Sequence, residues 1–319
     1  MKIVYNGEAD KRTFKDVYVE VFPKIAEADS DFIYLDADLM NCIGTSKFSC
    51  ANPGRGINCG ISEANMVGVA CGLAAVGYKP VCHSFGTFSS RRVFDQAFLS
   101  GAYAGNAVTI IGSDPGVCAA YNGGTHMPFE DMALYRSVPE ATVLDIADTA
   151  QFEDVLWQVK DIPGVKYIRV SRKNCAKIYD DGSKFEIGKG IALREGKDVV
   201  IFASGIMVAK ALAAADKLSS EGVNAAVVDL FTVKPIDEDI VVKYAKATGA
   251  VVTAENHNKI GGLTSAVSEV LAAKCPTPLE YVAVEDVFGE VGAQGYLEER
   301  FALTADHIIQ QAKKVISRK

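Results

Sequence analysis

A rhythm in hydrophobicity constrains the fold of this chain more than any single motif. Short apolar runs, FIYLDA (32–37), KPVCHSF (79–85), AVTIIGS (107–113) and KYIRVS (166–171), alternate with longer stretches of helical character at 62–76, 88–104 and 149–160. Runs of that length suit strands buried on both faces, and strand–helix alternation packs as a mostly parallel sheet covered by helices. After a polar, turn-rich bridge, Tyr179-Asp180-Asp181-Gly182-Ser183, the rhythm resumes with DVVIFAS (198–204), NAAVVDL (224–230), GAVVTAE (249–255) and LEYVAVE (279–285). The expected fold class is α/β, with two doubly wound, mostly parallel sheets in two domains, 1–182 and 183–319. A length of 319 residues accommodates two such cores.

Composition then narrows the function. Asp plus Glu outnumber Lys plus Arg by 40 to 33, and no basic run is interleaved with aromatics, so a nucleic-acid partner is not expected. No apolar run approaches the ~20 residues of a membrane span, and the acidic start MKIVYNGEADKR lacks the apolar core of a signal peptide. A soluble, cytoplasmic protein without a membrane partner is expected. The eight cysteines form no C-x-x-C pair and lie mostly in apolar runs, which fits reduced, buried thiols.

Gly and Pro are densest at 52–60 and 112–128, and those loops, rather than the helices, are expected to carry chemistry. In NPGRGINCGISEANMVGVACGLAAVG, Ser62 can cap a helix with Glu63 in its first turn. A carboxyl there is favoured by the helix dipole alone. Its neighbours Gly60, Ile61, Ala64, Met66 and Val67 would also leave it poorly solvated, which suits a proton-handling group. Phe85, Phe88 and Arg91 come next at three-residue steps; an aromatic pair at this spacing fits core packing, but Arg91 on the same flank does not. His126, approached through Gly123-Gly124 and followed by Pro128, sits in a backbone restricted enough to hold a catalytic side chain.

GISEANM (60–66), taken together with the segments at 83–98 and 112–145, resembles the cofactor-activating motif of transketolases and related thiamine diphosphate enzymes. The resemblance implies that Glu63 exchanges a proton with the cofactor's pyrimidine ring, and that Phe85, Phe88 and Arg91 enclose that ring. An Arg at the third position looks more like deoxyxylulose-phosphate synthase than the usual transketolase Tyr. GGTHMPFEDMALYRSVP (123–139) resembles the transketolase substrate loop. It implies that His126 lies beside the donor carbonyl, with Glu130 and Asp131 positioning the loop or lining a dimer interface. Two departures stand out. Asn122 replaces the family's sugar-reading aspartate, and Asp114 falls where many transketolases carry a phosphate-binding His, so it would repel a phosphate. Arg172 matches a phosphate-contacting Arg, Lys11 or Arg12 approximates another, and Asp38 matches a position close to the cofactor.

VVDLFTVKPID (227–237), AENHNKIGGLTSAV (254–267) and EDVFGEVG (285–292) resemble the C-terminal domain shared by transketolases and oxo-acid dehydrogenase β subunits, where they imply buttressing of a dimer. The chain contains no Gly-Asp-Gly, the motif that holds the cofactor's diphosphate through Mg²⁺ with oxygen ligands. The resemblance therefore implies a subunit that uses thiamine diphosphate and Mg²⁺ only with an N-terminal-section partner chain, which holds the metal. It would form an α2β2 heterotetramer that moves a two-carbon ketol unit from a ketose, expected to be a sugar phosphate or a sugar carrying a different anion, to an aldose. The alternatives are a deoxyxylulose-phosphate-synthase-like or oxo-acid dehydrogenase β-like subunit, and a non-catalytic regulatory or scaffold subunit.

Overall fold

The computed structural model describes residues 1–319. The first helix, Phe14–Ala28, shows how local sequence builds the elements. Thr13 caps it by accepting from Asp16 N, while Asp16 accepts in return from Thr13 N, which satisfies two otherwise orphaned donors. Phe14, Val17, Tyr18, Val21, Phe22 and Ile25 then fall on one buried face.

The strands are β1 (Phe32–Asp36), β2 (Gly56–Asn58), β3 (Lys79–Phe85), β4 (Val108–Ser113), β5 (Thr142–Asp145), β6 (Val165–Val170), β7 (Ile191–Arg194), β8 (Val199–Ala203), β9 (Ala225–Asp229), β10 (Thr232–Lys234), β11 (Val251–Asn258) and β12 (Leu279–Val284). They form a seven-stranded sheet in the order β10-β5-β6-β4-β3-β1-β2 and a five-stranded sheet in the order β12-β11-β8-β9-β7. Only β10 and β7 run antiparallel to their neighbours. The fold is thus α/β with two mostly parallel sheets. Every residue of β1, β4, β6, β8 and β9 is buried, as expected of strands covered on both faces.

Two details differ from the sequence-based expectation. The stretch 88–104 is not one α-helix, because a 3-10 turn at Arg91–Val93 leads into a wide helical segment at Gln96–Tyr103. Ser90 Oγ donates to Gly86 O at 2.7 Å, a local bond that competes with the first helical turn, and Ser89 Oγ ties the segment to Ile111 O of β4 at 3.0 Å. All eight cysteines are free, but only Cys71, Cys82 and Cys118 are buried and Cys50 is exposed.

The two halves are not separated by a clean seam. Strand β10 leaves the second half to pair with β5 of the first sheet, and one continuous apolar core runs from Phe14 through Phe152, Tyr179 and Phe231 to Val315. A buried polar network crosses the same joint. Arg169 Nε donates to Asp131 Oδ2 at 2.8 Å, its Nη1 lies 3.1 Å from Asp145 Oδ2, and its Nη2 donates to Asn256 O at 2.8 Å. Ser204 Oγ reaches Asp145 Oδ2 at 2.7 Å. Asp148 caps the Thr149–Val159 helix and also accepts from Ile178 N and Tyr179 N, anchoring the bridge between the halves.

Candidate functional site

The carboxyl ends of parallel strands gather loops on one edge of a sheet, where α/β proteins place their ligands. Here β3 ends at Phe85, β4 runs into Asp114, β6 runs toward Arg172, and the helix after β2 opens with Glu63. Glu63 is 3% exposed and sits in the first turn of the Glu63–Ala75 helix. Ser62 does not cap that helix through its side chain, contrary to the sequence reading. Nor is the carboxyl lone: Arg92 Nη1 donates to Glu63 Oε1 at 2.8 Å, which compensates a charge that burial would otherwise penalise. A cleft of about 460 Å³ lined by Ile61, Ser62, Glu63, Ala64, Asn65 and Arg92 opens beside it.

The Arg92 guanidinium continues to Phe88, standing 4.0 Å over the ring centroid. Phe88 and Phe85 lie 6.3 Å apart in a tilted pair, and the His126 ring packs edge-on against both, at 5.1 and 5.9 Å. Glu63, Arg92, Phe88, Phe85 and His126 thereby form one contiguous face. Arg91 does not belong to it. Its Nε lies 2.9 Å from Glu130 Oε1, and with Met127, Phe129 and Phe288 it lines a second cleft of about 500 Å³. Arg91 and Arg92 are consecutive, and it is Arg92, rather than the Arg91 picked out by three-residue spacing, that stands over the Phe88 ring.

His126 closes a 3-10 turn, Gly124–His126. Gly123 has a φ of 79°, and a Cβ on Gly124 would stand 2.3 Å from Gly289 O, so the Gly-Gly pair is required by conformation and by space. Thr125 Oγ1 lies 2.9 Å from His126 Nδ1, leaving Nε2 free of that contact. Asn122 is exposed just beyond Ala120, whose φ of 50° kinks the preceding turn.

Asp114 is 1% exposed and adopts a φ of 55°. Arg172 donates to it from Nε and Nη2, both at 2.5 Å from Oδ2, and from its backbone N at 3.1 Å to Oδ1. The expected repulsive carboxylate is therefore neutralised by the very arginine expected to bind phosphate. That guanidinium also lies 4.8 Å over the Phe85 ring, so the pair flanks the aromatic face. Lys11 lines a different cleft with Glu8, Asp10, Lys177 and Asp181. Arg12 is held by Glu20 at 2.6 Å and Glu153 at 2.5 Å, which occupies its charge.

Asp38 is exposed, with a φ of 64° and a reciprocal pair of hydrogen bonds to Asn58. Asn58 Oδ1 also accepts from Gly60 N, which ties the Asp38 turn to the approach to Glu63. Beneath these loops lies a buried relay that sequence reasoning missed: His83 Nδ1 is 2.9 Å from Asp36 Oδ2 and its Nε2 is 3.0 Å from Ser113 Oγ, while Tyr34 OH donates to Asp36 at 2.5 Å. It joins β1, β3 and β4. Cys118 is buried next to the site, and burial pushes its thiol up to about 12, which keeps it an inert packing group. No three His, Cys, Asp or Glu side chains are grouped to hold a metal ion.

The family of transketolase pyrimidine-binding domains matches residues 10–177 and that of transketolase C-terminal domains matches 188–308. The chain belongs to the transketolase family. The 6-deoxy-6-sulfo-D-fructose transketolase subunit SqwH of Clostridium sp. (strain MSTE9) is 48% identical over 99% of this chain and 98% of its own. A putative transketolase C-terminal section from Methanocaldococcus jannaschii is 33% identical over 92% of this chain and 93% of its own. Among solved structures, a split-gene transketolase described as an inactive beta4 tetramer aligns with a TM-score of 0.88 at 39% identity, covering 96% of this chain and 98% of that one. The chain spans about half the length of the animal transketolases it also matches. Membership places this transketolase-family chain among thiamine diphosphate-dependent proteins. No helix in it is long and apolar enough to cross a membrane.

Proposed function

We propose that the chain is the C-terminal-section subunit of a split transketolase, acting with a partner chain that holds the diphosphate and Mg²⁺. With that partner it moves a two-carbon ketol unit from a ketose to an aldose, and the donor's distal anion is a sulfonate. The observation that carries the reaction class is the contiguous face in which Glu63, Phe88, Phe85 and His126 meet through Arg92. These residues fit an aminopyrimidine: a buried carboxyl whose Oε2 accepts no hydrogen bond within the chain borders a cleft, with two half-buried rings nearby. Bound thiamine diphosphate supplies the carbon nucleophile. Glu63 then holds or takes a proton at the pyrimidine ring, Phe85 and Phe88 cover the heterocycle and exclude water, and His126 Nε2 donates to the donor's oxygen as charge develops on it.

Two observations support the sulfonate. The relative sharing 48% identity over nearly the whole of both chains is described as a sulfofructose transketolase subunit. In addition, the Asp114–Arg172 pair offers little net positive charge. A phosphate carries about −1.5 to −2 at neutral pH and a sulfonate about −1, so the neutralised pair disfavours the dianion more than the monoanion. The partner requirement is supported by the missing Gly-Asp-Gly and by the relatives of equal length described as a subunit and as a C-terminal section. The same relatives leave the decarboxylating and scaffold alternatives without a supporting observation.

The test reconstitutes the chain with an N-terminal-section partner bearing Gly-Asp-Gly and compares 6-deoxy-6-sulfofructose with fructose 6-phosphate, monitoring release of the shortened aldose. The expected result is a kcat/KM at least ~10-fold higher for the sulfonate, the size of one charged contact. A preference for phosphate overturns the sulfonate reading. Absence of ketol transfer with either overturns the transketolase reading, and full activity of the chain alone overturns the partner requirement.

A further inference from the structure

The motif AENHN (254–258) carries no chemistry in the sequence, yet Asn256 and His257 reach from it into the first half. Register between β11 and β12 is lost between Ala254 and Asn258, so Glu255, Asn256 and His257 are released from regular pairing. Glu255 turns inward to cap the Leu263–Lys274 helix, accepting from Leu263 N at 2.7 Å and Thr264 N at 2.8 Å. Asn256 turns the other way, while His257, on the same side as Glu255 with its Nδ1 3.8 Å from Glu255 Oε2, reaches the first half through its Nε2. The Asn256 side chain, 2% exposed, accepts from Val117 N at 3.0 Å through Oδ1 and donates to Pro115 O at 2.9 Å through Nδ2. Its own carbonyl is held from below by buried Arg169, whose other bonds go to Asp131 and Asp145. His257 Nε2 accepts from Ala133 N at 3.5 Å, with its Nδ1 against Asn258 O.

The loop that carries Asn122 and His126 is therefore fixed at entry, residues 115–117, by Asn256, and at exit, residues 131–133, by Arg169 and His257. The fit at the entry is close. Gly116 has a φ of 52°, and a Cβ there would lie 2.2 Å from Asn256 Oδ1. An Asn whose two amide groups match one N–H and one C=O of the same turn imposes a single turn geometry, because each alternative leaves buried polar groups unpaired.

We infer that Asn256, from the C-terminal half, is a positioning residue for the donor: it sets the 115–118 turn from which Asn122 and His126 are suspended. The functional part of this inference rests on the transketolase reading above, whereas the loop geometry does not. Asn256→Ala is compared with Ser204→Ala, which deletes another buried bond across the same joint but touches no loop residue. Hydrogen exchange of the chain alone is read first, without reference to activity. Asn256→Ala raises exchange at 116–126 by ~10-fold or more, the weight of a lost buried hydrogen bond, while Ser204→Ala leaves that segment unchanged. In the reconstituted complex, Asn256→Ala raises donor KM by a similar factor, with acceptor KM and deuterium exchange at the thiazolium carbon unaltered. If Asn256→Ala does not fold, Gly116→Ala, which drives a methyl into the Asn256 amide, gives the same two readouts. Unchanged exchange at 116–126 in the variant overturns the positioning role. Raised exchange with unchanged donor KM overturns its link to the donor, and a wild-type complex without ketol transfer overturns the transketolase reading while the exchange result stands.

Discussion

Arg92 Nη1 lies 2.8 Å from Glu63 Oε1 while its guanidinium covers Phe88, so truncating it removes a charge-assisted hydrogen bond and a stacking partner together. Arg92→Ala is expected to lower kcat by about 10-fold or more with every donor, whereas Arg91→Ala, which frees only Glu130, should have a smaller effect. Steady-state kinetics of the two variants in the reconstituted complex separates them; equal losses would mean the ring is served from elsewhere. Glu63→Gln, nearly isosteric but unable to share a proton, should reduce turnover by about 100-fold or more across all donors and slow deuterium exchange at the thiazolium carbon. Exchange at the wild-type rate would reduce Glu63 to a helix-terminus residue. The sequence could not separate Arg91 from Arg92, because both come shortly after the aromatic pair and a 3-10 turn rotates consecutive side chains by about 120°. Only the backbone after Ser90 decides which of them points at Glu63.

The elements were legible where one run of residues determines them. KPVCHSF reads as a strand to the residue, because it is apolar, extended in propensity and closed by Gly86. Strand β5 is hard to see in the sequence because Thr142–Asp145 comes directly after a segment dominated by its motif rather than its period, and β10 because three residues are too few to show alternation. The pairings Asn256 with Val117 and Arg169 with Asp131 left no local signature, since each depends on a partner far along the chain. The 123–139 loop shows the same dependence at Gly124, whose missing side chain makes room for the Gly289 carbonyl. Gly124→Ala forces backbone against backbone; overpacking of this kind costs about 1–3 kcal/mol, and Tm should fall by a few degrees with a larger proportional loss in kcat/KM. Calorimetry and donor kinetics on the same preparation check both, and an unchanged kcat/KM would show that the loop tolerates displacement.

Across the whole molecule, the joint between the halves contains a carboxyl that resists ionisation. Asp229 is fully buried, accepting at Oδ2 from Tyr179 OH at 2.6 Å and Gln151 Nε2 at 2.9 Å, and burial pushes it up to about 7. In the unfolded chain the same group ionises near ~4, so between ~4 and about 7 the native state holds the extra proton. Its contribution to stability is complete below that window and is lost as pH rises through it, by up to about 4 kcal/mol for three pH units. Asp145 and Asp148 are raised in the same direction by burial. Urea midpoints measured from pH 4.5 to 8 should therefore decline, and Asp229→Asn, which cannot ionise, should decline less; parallel profiles would place the pH sensitivity in other groups.

Strand β10 covers the outer side of β5, and it reaches that position only after the chain has built β7, β8 and β9. A fragment ending between the two matched family regions, at about residue 187, would leave the β5 edge with unpaired N–H and C=O groups and Val143 and Leu144 behind it. Such an edge recruits the nearest strand, which in a concentrated solution belongs to another copy. The pyrimidine-binding half on its own should therefore aggregate rather than fold cleanly, while the same half supplied with residues 230–236 as a covalent extension should stay monodisperse. During synthesis the same order of events leaves the first sheet with an open flank until the ribosome has passed residue 234, a window in which a chaperone or a sister chain has access to it.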